Sequence, residues 1–324
     1  MGITKMSEKI AIGILAYNEK DYIEDVVNSL YELDLPIYVI DDKSTDNTSD
    51  ILNELLKENK ISLIQNTKNL GAGLSTLELL KKVRKEGFKF LIKVDGDGQF
   101  SRKDIKKIKE LLQTSQYDFI KSNRFWSEGI KGKIPNKRYF GNLIATMLLQ
   151  LTSGTNKLFD PLNGLFAVNV KFLDIVNYKV YPKRYGYPYY FSALCAINNF
   201  RIFQINNTVS YNNQSSQLSS IKMAFTLTRL VFHFHKIKIR NKLLIGKYQR
   251  SAFLDILFIA SFFVSFTIFV RFILIFTPFK YFDTSYVGSW ALILLTIGIF
   301  TVFIFIESFK EEKEIRNEYI HFDE

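Results

Sequence analysis

The chain has 324 residues, 47% of them hydrophobic and 23% charged, with 43 Lys and Arg against 32 Asp and Glu. That composition excludes an intrinsically disordered or collagen-like chain, and the length buries the core of one large or two ordinary domains. The single cysteine, Cys195, makes no intramolecular disulfide, and with only three histidines beside it a zinc site is not expected.

The N-terminal stretch MGITKMSEKI has no apolar run ahead of a cleavage site, so no signal peptide is expected. Residues 10–16 (IAIGILA) read as a buried strand, and Tyr22, Ile23, Val26, Val27 and Leu30 follow at helical spacing. Residues 36–40 (PIYVI) predict a second strand that runs into Asp41 and Asp42. Residues 44–48 offer capping side chains ahead of a helix carrying Ile51, Leu52, Leu55 and Leu56. Residues 61–64 predict a third strand, 74–83 a third helix and 88–94 (FKFLIKV) a fourth strand, closed by Asp95 and Asp97. Strands and helices alternating in this way predict an α/β domain with a mainly parallel sheet covered on both faces.

Ligands of such sheets bind at the carboxyl ends of the strands. The polar residues gather there: Asn18-Glu19, Asp41-Asp42 and Asp95-Gly96-Asp97-Gly98-Gln99. Aspartates at i and i+2 across a glycine turn can face one cleft. Their hard oxygens suit magnesium or manganese bound to a diphosphate, with substrate and water completing the shell. The same Asp-Gly-Asp-Gly also makes a plain tight turn. Gly71-Ala72-Gly73 lacks the third glycine and the preceding strand that a dinucleotide-binding loop needs.

The positive charge is concentrated. Residues 175–254 contain twelve basic side chains and no acid. Within that window Ile221, Phe225, Leu227, Leu230, Val231, Phe234 and Ile237 recur at roughly helical spacing, with Lys222, Arg229, Lys236 and Lys238 between them. A basic amphipathic helix of this kind lies on anionic membrane lipids or packs on the globular domain. Residues 252–270 are apolar at 15 of 19 positions, and residues 284–306 carry no charge over 23. At about 1.5 Å per residue both runs are long enough for a bilayer core of about 30 Å. They predict a transmembrane hairpin, about 252–277 and 285–306, with Tyr281, Tyr286 and Trp290 at headgroup level. Two buried core helices are the alternative. The Lys and Arg residues before the first span place both chain ends on the cytoplasmic side, at the plasma membrane in a prokaryote. With spans adjoining it, the basic window points to a membrane and not to nucleic acid.

Seven segments, in order, carry a resemblance: AYNE (16–19), VIDDKSTDNT (39–48), NLGAG (69–73), VDGDGQF (94–100), KSNRF (121–125), IPNKRYFGN (134–142) and DPLNGLFA (160–167). The first four resemble the GT-A nucleotide-sugar-binding domain of family 2 glycosyltransferases. The last three resemble its polyprenyl-phosphate branch, the dolichyl-phosphate mannose synthase-like enzymes. The resemblance implies a GT-A domain over residues 1–219, a basic amphipathic interfacial segment over 220–250, two transmembrane helices within 251–307 and a charged cytoplasmic tail over 308–324.

The resemblance further implies that Leu15, Tyr17, Asn18, Glu19, Ile40, Asp42, Asp95 and Gly96 bind the nucleotide sugar. Asp95, Asp97 and Gln99 would hold Mg2+ or Mn2+ with the diphosphate. Arg124 and Asp160 would be catalytic, and Asn163, Lys222 and Arg184 would bind the acceptor. Residues 211–222 lack the arginine that relatives carry for the acceptor phosphate, which is why Lys222 and Arg184 are candidates. No Gln-x-x-Arg-Trp motif occurs, which argues against a processive polysaccharide synthase.

The implied activity is that of a metal-dependent, inverting hexosyltransferase. It would move one sugar from a UDP- or GDP-sugar to an undecaprenyl or dolichyl phosphate at the cytoplasmic face. A hydroxyl of a lipid-linked glycan is the alternative acceptor, for which Asp160 would serve as base. A nucleotidyltransferase and a non-catalytic membrane module are more distant readings, and a homo-oligomer is compatible with the sequence.

Overall fold

A computed structural model describes residues 9–114, 116–125, 136–207, 220–245, 249–275 and 287–322. Strand β1 (Ile10–Ala16) is buried along its whole length, as an uninterrupted apolar run requires. Helix α1 (Ile23–Tyr31) buries Ile23, Val27 and Leu30 against the sheet. The alternation continues through β2 (Ile37–Asp41), α2 (Thr48–Lys57), β3 (Ser62–Gln65), α3 (Ala72–Lys85) and β4 (Phe90–Asp95). Phe88, expected in the fourth strand, closes the turn after α3 by donating its N–H to the Val83 carbonyl at 3.2 Å. At the start of α2 the capping position, Asn47, makes no side-chain bond. Asp46 takes that work, accepting from the Thr48 N–H at 3.0 Å and its hydroxyl at 2.6 Å.

Then come α4 (Arg102–Gln113), β5 (Phe119–Asn123), α5 (Asn136–Ser153), β6 (Phe166–Asn169), a 3-10 turn at Val170–Asp174, α6 (Tyr187–Ile197) and β7 (Ile202–Asn206). Four more elements complete the chain: α7 (Ser220–Ile245), α8 (Gln249–Ile275), α9 (Val287–Asn317) and β8 (Ile320–Phe322). The sheet has eight strands in the order β3-β2-β1-β4-β6-β5-β7-β8. Every neighbouring pair is parallel except β6, which runs antiparallel to both β4 and β5. That one reversal brings the loop entering β6 to the edge where β4 and β5 end. The core between sheet and helices is built from Ile12, Ile14, Val39, Ile92, Val94 and Ile120 with Ile23, Val27, Leu52, Ile105 and Ile108.

The chain divides into two compact units, one ending at Phe234 and resumed from Asn317, the other His235–Arg316. In the first unit α7 buries Leu227, Leu230 and Phe234, with the Phe234 ring 5.1 Å from that of Tyr190, and leaves Phe225 and Phe232 exposed. Packing and exposure therefore coexist on opposite faces of this helix. The second unit contains a buried polar cluster: Asp255 on α8 lies 3.8 Å from the Lys238 ammonium and accepts a hydrogen bond from the Ser308 hydroxyl of α9. Among the described residues one helix is long and apolar enough to cross a membrane, at Ile293–Lys310 with mean hydropathy 2.0, while the apolar stretch of α8, Ala252–Ile268, is shorter. The connection holding Tyr281 and Tyr286 lies outside the described residues.

The tail departs from expectation. Where the sequence suggests a charged cytoplasmic tail over 308–324, α9 runs on to Asn317 and residues 320–322 add a parallel edge strand to the eight-stranded sheet. Ile320 supplies the reason: its side chain is buried opposite Ile202. Ile320→Ala is expected to destabilise the first unit by about 2 kcal/mol, read as a lower thermal midpoint of the full chain. An unchanged midpoint would mean that β8 contributes nothing to the sheet.

Candidate active site

Three strands deliver the candidate nucleotide-sugar residues to one edge. Leu15 is level with Ile40 of β2 on one side and with Asp95 of β4 on the other, so the three lie in one row. Ile40 is wholly buried and Leu15 nearly so; Ile40 supports this edge from below and, contrary to expectation, offers no open surface for a base. Tyr17 is exposed. Asn18 adopts a left-handed backbone (φ 59°), and its side-chain oxygen accepts from the Thr45 N–H at 2.8 Å, tying the β1 loop to the β2 loop. Glu19 adds to that tie through its N–H, which donates to the Thr48 hydroxyl at 2.8 Å.

Asp42 is engaged otherwise than expected. Its carboxylate accepts from the Asn66 amide and from the N–H groups of Leu70 and Gly71, each at 2.8 Å, which holds the NLGAG loop against the strand end. Arg184 packs on the same loop: a Cβ at Gly71 would lie 2.3 Å from its Cγ. The structure thus brings Arg184 to the Asp42 side of the edge, where the sequence suggests an acceptor contact. Lys222, the other such candidate, is exposed near the start of α7.

The Asp95-Gly96-Asp97-Gly98-Gln99 turn is electrostatically unbalanced. Burial pushes Glu19 up to about 8, helped by the charges of Asp97 and Asp95. Burial likewise raises Asp97 to about 6, with Asp95 adding to it. Gln99 belongs to the same turn, its N–H donating to Asp97 Oδ1 at 3.1 Å. Gly96 is required here, since a Cβ would come within 2.9 Å of the Leu15 carbonyl. Among the described residues no three His, Cys, Asp or Glu side chains form a metal cluster. Two carboxylates and one amide oxygen nonetheless fit a hard divalent cation whose remaining ligands are substrate oxygens.

Arg124, Asn142 and Asn163 converge on Asp160. Its side chain is fully buried, and its backbone is left-handed (φ 50°). Arg124 grips the carboxylate with Nε at 2.8 Å, Nη2 at 2.7 Å and its backbone N–H at 3.0 Å. The Asn142 amide donates at 2.6 Å and the Asn163 amide at 3.1 Å. Five donors saturate the two oxygens. Burial alone would raise this carboxyl, yet the charge and hydrogen bonds of Arg124, with Lys121 and Asn142, hold it down to about 2. A carboxylate so engaged is a poor proton acceptor, and its charged partner is the Arg124 guanidinium.

Three buried polar side chains beneath this site escaped the sequence reading. Lys93 on β4 and Lys121 on β5 flank Phe166 of β6 in register, and Gln204 of β7 stands opposite Lys121. Lys93 pairs with Asp95, and its ammonium lies 5.3 Å from the Tyr187 ring centre. Lys121 donates to the Asp160 carbonyl at 2.5 Å, and burial lowers it to about 8. Gln204 accepts from the Phe159 N–H at 2.9 Å and donates to the Lys157 carbonyl at 2.5 Å. The row supports the 157–164 loop at both ends, because Gly164 presses on Asp95: a Cβ there would meet its Oδ2 at 2.2 Å. The signal was available, as each residue interrupts an apolar strand (FLIKVD, FIKSN, IFQIN).

Glu19 and Asp97 retain protons in the folded chain that they would release when unfolded, so folding loses stability as pH rises from about 4 to about 8. The thermal midpoint in chelator should fall across that window, and Mg2+ or Mn2+ at pH 8 should restore it. Glu19→Gln should flatten the pH dependence; an equally steep fall in that variant would remove Glu19 from the account.

Residues 11–174, just over half of the chain, match the description "Glycosyl transferase family 2". A UDP-N-acetylglucosamine–dolichyl-phosphate N-acetylglucosaminyltransferase of Methanococcus voltae is 29% identical over 56% of this chain and 77% of its own. A dolichol-phosphate mannosyltransferase of Pyrococcus furiosus is 24% identical over 52% of this chain, which spans about half of that protein (48%). Among solved structures, glucosyl-3-phosphoglycerate synthase of Mycobacterium tuberculosis, in complex with Mn2+, UDP and glucosyl-3-phosphoglycerate, is 16% identical over 72% of this chain and 81% of that one, with a TM-score of 0.49. With the family match covering both acid-bearing strand ends and the Arg124–Asp160 pair, the chain belongs to glycosyl transferase family 2, and it is a glycosyltransferase.

Proposed function

We propose that this protein transfers one sugar, with inversion, from a nucleotide diphosphate sugar to a polyprenyl phosphate at the cytoplasmic face of a membrane. The observation that carries the reading is the saturated Asp160 carboxylate. A hydroxyl acceptor needs a base, whereas a phosphate monoester brings about −1.5 to −2 charge of its own at neutral pH. The relatives named for dolichyl-phosphate acceptors support the same choice.

Each residue then has a task. Tyr17, Asn18, Glu19 and the Asp42-held loop receive the nucleoside, and Asp95 and Asp97, with Gln99, would hold a divalent cation. Bound there, such a cation neutralises the leaving diphosphate as a Lewis acid. Arg124, pinned by two parallel bonds, presents a fixed positive charge to phosphate without having to reorganise. Asp160, Asn142 and Asn163 are positioning residues for that guanidinium. Lys222 and Arg184 add positive charge that attracts the anionic substrates.

The lipid acceptor accounts for the second unit. The chain leaves the catalytic unit after Phe234 and rejoins its sheet at β8, so any passage through a bilayer has to be made an even number of times. A lone span by α9 does not satisfy that condition, and a hairpin of α8 and α9 does. The exposed Phe225 and Phe232 of α7, among basic residues, suit a helix in the headgroup region.

Membranes containing the protein, given a panel of UDP- and GDP-sugars with undecaprenyl or dolichyl phosphate, should yield a lipid one sugar heavier by mass spectrometry. If a lipid-linked oligosaccharide grows while no polyprenyl phosphate is labelled, the acceptor is a hydroxyl and the proposal fails. Asp160→Asn should lower kcat/KM by about 100-fold, chiefly through the KM of the acceptor, without altering the shape of the pH–rate profile. Loss of one limb of that profile would restore a base role to Asp160.

A further inference from the structure

The last strand in the chain reaches the candidate active site through a buried glutamine. Gln204 lies on β7, between β5 on one side and the C-terminal strand β8 on the other. In register it stands between Lys121 and Phe322, and Ile202 stands between Phe119 and Ile320. The Ile202 N–H donates to the Tyr319 carbonyl at 2.7 Å, where the pairing with β8 begins. Aromatic rings add a second tie, since the Tyr117 ring lies 4.9 Å from that of Phe203 and 5.8 Å from that of His321.

The loop that carries Asp160 is held differently at its two ends. At the near end Gln204 accepts from the Phe159 N–H at 2.9 Å and donates to the Lys157 carbonyl at 2.5 Å. One side chain thereby bonds the loop backbone on both sides of Leu158, as a neighbouring strand would. The Lys157 ammonium donates in turn to the Ile320 carbonyl at 3.3 Å, so β8 also touches the loop directly. Gln150 of α5 and Lys121 of β5 take the carbonyls of Leu158 and Asp160. At the far end Asn163 Oδ1 accepts from the Leu165 N–H at 3.1 Å, and Ser122 donates its N–H and its hydroxyl to the Leu165 carbonyl at 3.2 and 2.8 Å. Those last ties run to β5 and β6.

Gln204 is only 2% exposed, and bonds shielded from water keep one geometry where open ones exchange partners. Without β8, strand β7 would be the edge of the sheet, with its outward backbone groups facing water and its end free to fray. We infer that β8 is a positioning element of the active site: through Gln204 and Lys157 it fixes the Phe159–Asp160 backbone, and so the direction in which Asp160 aims Arg124. The role of Arg124 is the one proposed above. The chain supplies this strand only after its helical unit, so residues 1–234 alone lack a strand that the site uses. A split follows from the two kinds of anchor. The Asp160 end of the loop depends on β8, while the end where Gly164 packs on Asp95 does not.

The test keeps the helical unit in place and compares the native protein with two variants, a chain ended after Glu318 and Gln204→Leu in the complete chain. Hydrogen exchange read by mass spectrometry should be about ten-fold faster at residues 157–160 in both, the change expected for loss of one or two ordinary hydrogen bonds. Residues 10–16 and 163–169 should exchange as in the native chain. Binding of UDP or GDP with Mn2+ should stay close to the native value, while transfer to polyprenyl phosphate falls, chiefly through the KM of the acceptor. Unchanged exchange at 157–160 in either variant overturns the inference. So does equal acceleration across the whole sheet, which would make β8 a general stabiliser, and so does loss of nucleotide binding together with transfer. Exchange needs no substrate, so its outcome is distinct from a failure of Arg124→Ala to slow transfer, which would remove the role given to Arg124.

Discussion

A carboxylate buried out of reach of water stays ionised only if donors surround it, and Asp160 organises the sheet edge around Arg124 through that requirement. Arg124 from the end of β5, Asn142 from α5 and Asn163 from the β6 loop each bond it. Removing any one of them would leave buried charge less well compensated, so three elements remote in sequence are held in one geometry. The left-handed backbone of Asp160 is a strained conformation for a non-glycine residue, and the same network over-determines it. Arg124 gains most: its guanidinium is oriented before any substrate arrives.

The antiparallel strand β6 makes this meeting of residues possible. In a purely parallel sheet the loop entering a strand lies at the edge away from the ligands. Reversing β6 between β4 and β5 turns its entry loop toward the acids of β4 and the arginine after β5. The buried row of Lys93, Lys121 and Gln204 then supports the loop from beneath, and Gly164 lets it press on Asp95. Asp95 and Arg124 are thus joined by one five-residue loop, DPLNG. A shift at either end is felt at the other through packing and not through a flexible linker.

Much of the architecture was legible in the sequence because its signals are local. Apolar runs closed by acids at Asp42 and Asp95 marked strand ends, and helical periodicity marked α1, α2 and α7. The spacing of Asp95 and Asp97 across a glycine located the edge at which the acids gather. The tasks of individual polar groups were less legible. Nothing local shows that Asp42 anchors the NLGAG loop or that Arg184 packs on Gly71. Lys93, Lys121 and Gln204 were visible as polar interruptions in apolar strands, but nothing in the spacing shows that β6 places the two lysines side by side across Phe166.

By itself, the sequence determined the alternation of strands and helices, the edge at which the acids gather and the family, since each depends on periodicity or short contiguous motifs. Tertiary structure alone decided that Asp160 is spent on Arg124, that the last strand returns to the catalytic sheet, and that the apolar face of α5 points outward. The reason is physical: a carboxylate's proton affinity, a strand's partner and a helix face's surroundings are set by groups distant in the chain, and no local pattern encodes them.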